Sequence, residues 1–338
     1  MLASPLFPID GKNESEVAEI ARSLSFVRPL VPYPSWRFDA DWGNPDLAFQ
    51  MRQEVWQFSK DRNPETRIVL DWLDGLRLAM HLGNDLSRQI FVGGCIDPNE
   101  FTFLHKMLEP GMTFLDAGAN EGVYTVFAAH CVGHRGAVWA FEPSQREFNR
   151  LQQNLKLNRL KNVHSFRLAL AEHEGQAELA VAEAEHSGQN TLGNFAYDGV
   201  GVLRKELVPV QVLDQVVEEN GVTRLDVIKL DVEGAEHRLL DGARRTLQRF
   251  RPVILFEASD SALRHQGSSR EALCAALSAQ DCTLYIFADS TGLPAPAMSG
   301  QFSDNMIAVP MEKPLTGSVF ELTPRSWRKR TSSGEFLS

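Results

Sequence analysis

The sequence predicts an α/β protein: a doubly wound, mostly parallel sheet of seven strands, extended at its N-terminal side by a β-hairpin and an arm. Three observations carry that expectation. From residue 112 to about 310, short apolar strand-like runs alternate with segments of helical spacing, as βαβ units require. Four of the runs end in a carboxylate: TFLD at Asp116, VWAFE at Glu142, VIKLD at Asp231 and VILFE at Glu257. The first run leads into a glycine-bearing loop, AGANEG, and then into a helix, the order found at nucleotide-binding turns.

Residues 1–64 have the least regular pattern. RPLVPYPSWRFDADWGNP, rich in proline and tryptophan, suits an irregular arm or a small cap. From Arg67, RIVLDWLDGLRLAMHL reads as two strands around an Asp74-Gly75 turn, with QIFVGG as a candidate third, which places a hairpin unit at 67–93. The core, 105–310, should hold strands at 112–116, 137–142, 163–170, 225–231, 252–257, 283–288 and 305–309. A helix starts near Val123. The next is signalled by Ser144 and Glu147 as a Ser-x-x-Glu capping box, with Phe148, Leu151 and Leu155 at helical spacing behind it. A later helix, about 235 to 248, should turn Leu239, Leu240, Ala243 and Leu247 inward. Residues 311–338 read as a tail with a basic RSWRKR cluster.

With 338 residues, 43% of them apolar, the chain can bury a large core. The net charge of −10 argues against a general nucleic-acid binder, since no domain-wide basic surface is available to neutralise phosphates. Cys95, Cys131, Cys274 and Cys282 are scattered, with neither zinc-site spacing nor a disulfide framework. The first residues lack a signal-peptide pattern and no apolar run has membrane-spanning length, so a cytoplasmic protein is expected.

In an open α/β sheet, ligands bind outside the carboxyl ends of the strands, where strand order reverses. Four strand-end acids should therefore rim one crevice. One alone would be explained as a helix cap. A dinucleotide loop reads G-x-G-x-x-G, whereas Ala117 stands here at the first glycine position. Glu121 sits where a pyrophosphate would lie, and would repel it. No Gly-Lys-Ser/Thr follows, which excludes a Walker loop. The expected ligand is a nucleoside without phosphates and with a positive charge, and S-adenosylmethionine, a sulfonium, satisfies both. Gly118, Ala119, Asn120 and Gly122 form the loop that approaches its methionine part. Asp116 and Asn120 bind the ammonium and carboxylate. Glu142, 20 residues after Gly122, accepts both ribose hydroxyls, with Ser144 beside it. Leu170, within LALAE at 168–172, flanks the adenine, and Asp231 closes the set.

LDAGANEGVYT, FEPS, NLKLN, RPVILFE and above all IKLDVEGAEHRLLDGA resemble the FkbM family of methyltransferases, from about Gly75 to Pro310, with VLDQVV and NMIAVP in step. The resemblance implies a class I, Rossmann-like methyltransferase fold whose last strand is antiparallel. It implies O-methyl transfer onto a hydroxyl of a sugar, glycan or natural product. On this division, 65–310 is the methyltransferase domain, and 1–64 and 311–338 lie outside it.

An alcohol acceptor must lose its proton or bind a metal. Asp231 or His237 is the candidate general base. Lys229, two residues before Asp231, faces the same side of its strand and is a third candidate catalytic residue. Asp231 and Glu257, ending neighbouring strands, offer a magnesium site. EHSGQNTLGNFAYDG, 185–199, reads as a mobile loop over the acceptor. Two other readings compete: a nicotinamide-dependent oxidoreductase, and a catalytically silent S-adenosylmethionine-binding domain that partners another protein.

Overall fold

The computed structural model describes residues 9, 11–27, 30, 32, 47–193, 195, 201–322 and 326. Most of the proline- and tryptophan-rich stretch, and most of the basic cluster in the tail, lie outside the described residues. Strands β1 (Arg67–Asp71) and β2 (Arg77–His81) form the expected hairpin. Its turn holds Asp74 and Gly75 at φ 49° and 77°, conformations open to a short polar residue and to glycine.

The central sheet runs through β3 (Thr113–Ala117), β4 (Ala137–Phe141), β5 (Val163–Phe166), β9 (Val227–Leu230), β10 (Val253–Glu257), β11 (Cys282–Phe287), β12 (Pro294–Pro296) and β13 (Asn305–Pro310). Their order is β12-β11-β13-β10-β9-β3-β4-β5. The seven expected strands are present, and β12 adds an eighth by pairing antiparallel with β11. Strand β13 runs antiparallel between β10 and β11. Strand order reverses between β3 and β9, so the crevice opens at their carboxyl ends.

Alternation along the strands divides the apolar residues between two layers. Phe114, Val138, Val227 and Val253 face one cluster, which continues through Phe101, Phe127 and the N-terminal segment. Leu115, Trp139, Ile228 and Ile254 face the other.

Several elements differ from the sequence expectation. QIFVGG is a π-helical turn, Arg88–Val92, and not a strand. Ile90, Phe91 and Val92 are all buried, so the run carries no period-two signal. The expected strand 163–170 breaks after Phe166. Ala169–Leu170 (β6) joins Gly175–Ala182 (β7) and Val202–Gln211 (β8) in a separate three-stranded sheet, ordered β6-β8-β7. The single helix expected at 235–248 is two, Glu236–Asp241 and Arg244–Phe250. They part at Gly242, where a Cβ would come 2.3 Å from the Ala171 carbonyl oxygen. Among the described residues of 1–64 there are two helices, α1 (Glu14–Leu24) and α2 (Leu47–Arg62). Trp56 of α2 donates to the Asn84 carbonyl at 3.1 Å and to Ser87 Oγ at 3.0 Å, which seats the helix on the segment after the hairpin. Among the described residues no helix is long and apolar enough to cross a membrane.

Asn154, 1% exposed, ties the hairpin to the sheet's glycine loop. Its Oδ1 accepts from Ala79 N at 2.7 Å, and its Nδ2 donates to the Ala79 and Glu121 carbonyls at 3.3 and 2.8 Å. Asn154→Ala leaves these groups unpaired and should lower stability by about 2–3 kcal/mol in urea unfolding. A loss below about 0.5 kcal/mol would show that water replaces the amide.

Candidate functional site

The loop after β3 is shaped by how closely two strand ends approach. Gly118 has φ 79°, and a Cβ there would stand 1.7 Å from the Asp231 carbonyl oxygen. Gly118 and Ala119 both donate to the Phe141 carbonyl, at 3.0 and 2.9 Å. Asn120 is left-handed at φ 49°. Gly122, at φ 86°, serves packing: a Cβ would meet Leu151 Cδ1 at 2.4 Å. It starts the helix Val123–Val132 (α3, after α1 and α2). Glu142 is held from both sides, since Oε2 accepts from Asn120 N at 2.9 Å and Oε1 from Ser144 N at 2.8 Å. Burial pushes its carboxyl up to about 8, with Glu147 adding to the rise.

The expected capping box does not form. The Ser144 hydroxyl donates to the Glu147 carboxylate, which also takes Arg146 Nε at 2.6 Å. No side-chain bond caps the helix Gln145–Leu157.

Two adjoining cavities open at the switch point. The first holds about 930 Å³ of space, part of it open to solvent. Its base is the loop 117–121, Glu142 stands on one wall, and Phe141, Leu168, Leu170 and Leu179 supply apolar surface. The second, about 1200 Å³ and more open, is lined by Asp97, Asp231, Glu233 and Glu257. Asn120, Tyr124, Lys229 and Asp231 belong to both. Ser187, Gly188 and Asn190 cover the first cavity. This strap is latched to the N-terminal side by Asn84 Nδ2 to Ser187 Oγ at 3.1 Å and by His186 to Asp85 at 2.9 Å. The rest of the expected loop, residue 194 and residues 196–199, lies outside the described residues.

Lys229 sits between the cavities. Register places it opposite Asp116 on the neighbouring strand. Its ammonium lies 2.9 Å from Asp231 Oδ2, 3.7 Å from Asp116 Oδ1 and 4.7 Å from the Tyr124 ring centre. Burial works against its charge, but the two carboxylates outweigh burial and hold it well above the usual lysine range. Lys229 therefore stays protonated and cannot serve as a base.

Asp116 is wholly buried, accepts from Thr125 Oγ1 at 2.5 Å and stands behind the cavity wall, so its carboxylate is not at the position expected for binding an ammonium. Ala119, Asn120, Glu142, Leu170 and Asp231 line the first cavity, while Gly122 and Ser144 act one layer back. His237 is not brought to the cleft. Its Nδ1 is 2.7 Å from Ser268 Oγ, and it borders a surface depression with Leu240 and Arg244. Glu121 does not face a pyrophosphate position as a free charge. It is 1% exposed and paired with Arg150 at 2.8 Å, with His81 at 3.9 Å. Burial alone would raise its carboxyl, but these partners bring it below its ordinary value. The stronger argument against a pyrophosphate is the set of carboxylates on the walls: Glu142, Asp231 and Glu233.

Sequence reasoning missed Asp97, Tyr124 and Glu233. Tyr124 OH donates to Asp97 Oδ2 at 2.8 Å, and burial pushes Asp97 up to about 6. Asp97 (φ 40°) and Glu233 (φ 52°) are left-handed without being glycine, a strain that clusters at functional sites. The acids of DVEGAE were in plain view, but nothing in their spacing separates Glu233 from Glu236. The structure does. Glu236 turns inward to accept from Val232 N at 2.9 Å, and Glu233 faces the cavities.

The residues present fit S-adenosylmethionine. The first cavity has apolar walls for a base, an anchored carboxylate for ribose hydroxyls, and Asn120 Oδ1 enclosed without a hydrogen-bond partner. Sheet order and cleft together define the class I methyltransferase fold. Residues 116–283 match the methyltransferase FkbM domain, and the chain belongs to the FkbM family of S-adenosylmethionine-dependent methyltransferases. It is 26% identical over 175 residues to Methyltransferase 1 of Beauveria bassiana, covering 46% of this chain and 66% of that protein. It is 28% identical over 181 residues to the AMB antimetabolite synthetase AmbE of Pseudomonas aeruginosa, covering 44% of this chain and 8% of that one. The chain thus spans just under two thirds of the first relative and a small part of the second. Among solved structures it is similar to the FkbM methyltransferase of Methylobacillus flagellatus KT, at 16% identity and TM-score 0.38, over 79% of this chain and 60% of that one.

Gly118→Ala should cost on the order of 3 kcal/mol or more, because backbone and not a flexible side chain blocks the methyl group. Denaturant unfolding checks this, and a near-neutral variant would contradict the close approach. A second expectation concerns pH. Burial raises Glu100 from 4.5 to about 8, with Asp97 adding to the rise, and Glu142 likewise reaches about 8. The folded state then binds these protons more tightly than the unfolded chain, so stability should fall as pH rises from about 5 to 8. Glu100→Gln should flatten that slope in thermal melts at a series of pH values, and an unchanged slope would rule Glu100 out as a source.

Proposed function

We propose that the protein transfers the methyl group of S-adenosylmethionine to a hydroxyl of a sugar, glycan or natural-product acceptor. The observation that carries this is the pair of adjoining cavities, with Glu142 anchored on the wall of the first alone and Asp231 on the wall common to both. S-adenosylmethionine, when bound, supplies an electrophilic methyl group. The chain's residues do the rest. Glu142, fixed by two backbone N–H groups, orients the nucleoside. The strap at 187–190 and the apolar wall keep water from that end. Asp231, on the wall common to both cavities, takes the acceptor's hydroxyl proton as the C–S bond breaks and the O–C bond forms. The sulfur keeps the electron pair. Lys229 positions Asp231 and gives up no proton. The net charge of −10 supports a small or glycan acceptor over nucleic acid.

Calorimetric titration with S-adenosylhomocysteine beside NADH tests the cofactor. Homocysteine-product binding is expected, and Glu142→Ala should weaken it about a hundredfold while leaving the circular dichroism spectrum unchanged. Preference for NADH would replace the proposal with an oxidoreductase. Tight product binding without turnover on any acceptor hydroxyl would favour a silent binding domain.

A further inference from the structure

We propose that the N-terminal segment is the keeper of a gate over the first cavity: Lys60, Asn84 and Asp85 hold the strap 184–190 down, and exchange of S-adenosylmethionine for its product requires the strap to come away from them. The inference rests on the reading of the first cavity as the cofactor's.

The strap is rooted at both ends and loosely held between them. It leaves β7 after Ala182 and returns at Thr191. Ala180 and Thr191 exchange N–H···O bonds of 2.9 and 3.1 Å, and Asn190 Oδ1 accepts from Ala182 N at 2.9 Å, so the ends are clamped together. Thr191, 2% exposed, is fixed from behind: its hydroxyl donates to the Glu233 carbonyl at 2.9 Å and accepts from Gln266 Nε2 at 3.1 Å. Between the roots the backbone bonds are local. His186 N donates to the Glu183 carbonyl and Gln189 N to the His186 carbonyl, each at 3.0 Å.

The middle of the strap is held by residues that precede the family domain. Three successive strap residues are caught: Glu185 by Lys60 of α2, His186 by Asp85 at 2.9 Å, and Ser187 by Asn84 Nδ2 at 3.1 Å. The first two contacts are partly exposed, which makes them weak enough to break and re-form. The keeper itself is rigid. A Cβ on Gly83 would stand 2.8 Å from Lys60 Cα, and Trp56 bonds Asn84 and Ser87, so α2 and the segment carrying Asn84 and Asp85 pack as one unit.

With these contacts made, the strap lies against the glycine loop. A Cβ on Gly188 would stand 3.7 Å from Asn120 Nδ2. Ser187 and Asn190 roof the first cavity without reaching the second. A nucleoside resting on Glu142 is therefore enclosed on the strap side, and the other way out passes the shared wall of Asn120, Tyr124, Lys229 and Asp231. Asn84 also donates to Glu121, so the glycine loop and the latch share one side chain.

The test needs no turnover. Tritiated S-adenosylhomocysteine is bound to the full chain, chased with unlabelled S-adenosylhomocysteine and followed by rapid filtration; association is timed in the same way. Lys60→Glu and Glu185→Lys each place like charges across the latch, and both should speed release and association by about threefold or more. The double reversal, Lys60→Glu with Glu185→Lys, should return both rates towards those of the unaltered chain. Asp85→Ala, which adds no charge, should act in the same direction as the single reversals. A gate changes both rates together, whereas a mere binding wall changes release alone. Rates within about 1.5-fold of the unaltered chain in all three single variants overturn the gate. So does faster release with unchanged association, or a double reversal no slower than the single ones. Failure of S-adenosylhomocysteine to bind the unaltered chain overturns the reading of the first cavity and the gate with it; binding with unchanged rates overturns the gate alone.

Discussion

One buried ammonium holds the carboxyl ends of β3 and β9 together. Lys229 stands opposite Asp116 in the parallel register and reaches Asp231 at the end of its own strand. Two carboxylates brought this close in a poorly solvated crevice would repel each other without a cation between them. With Lys229 in place, Asp231 is fixed on the wall shared by both cavities and Asp116 is locked behind it. The Gly118 loop can then run within contact of the Asp231 backbone. The cost of burying Lys229 and Asp116 is offset by their attraction, by the partly exposed Asp231 beside the ammonium and by the Tyr124 ring over it.

The N-terminal segment is part of this arrangement. Asn84, 1% exposed, donates to Glu121 Oε1 at 3.0 Å in the glycine loop and to Ser187 in the strap. Arg150 joins Glu121 to Glu65 at the foot of the hairpin. Asp97, which lines both cavities, precedes the span matched by the family domain. Breaking a buried pair such as Arg150 with Glu121 strands a charge and is strongly destabilising. The glycine loop is thus braced from outside the βαβ core, and one apolar layer runs continuously from Val17 and Trp56 to Phe114 and Val227.

The walls explain what kind of ligand the cleft accepts. Apart from Lys229, which is already paired, the charged groups lining the first cavity are carboxylates, set among apolar and neutral polar residues such as Asn120, Ser187 and Asn190, a poor surface for phosphates and a good one for a nucleoside carrying positive charge. The second is more acidic still, and burial with mutual repulsion pushes Glu233 and Glu257 well above the ordinary carboxylate range. Protons, or a cation in their place, relieve that repulsion.

The sequence by itself determined the sheet, its alternation of strand and helix, and the strand ends that form the cleft. Those are local matters: apolar runs of strand length, glycines where φ must be positive, and acids at the close of each run. It also marked Glu142, Asn120, Leu170 and Asp231, because loop and strand-end positions follow from spacing along the chain. Only the tertiary structure decided which acids face the cavities. Asp116 lies behind the wall, Glu121 is neutralised by Arg150, and His237 turns to Ser268. Those outcomes depend on partners 29 to 113 residues away, such as Arg150 for Glu121 and Lys229 for Asp116, and no periodicity encodes them. The same holds for Asp97 and Tyr124, which meet across 27 residues. Short-range pattern specifies the elements, and packing of distant side chains assigns each charge its role.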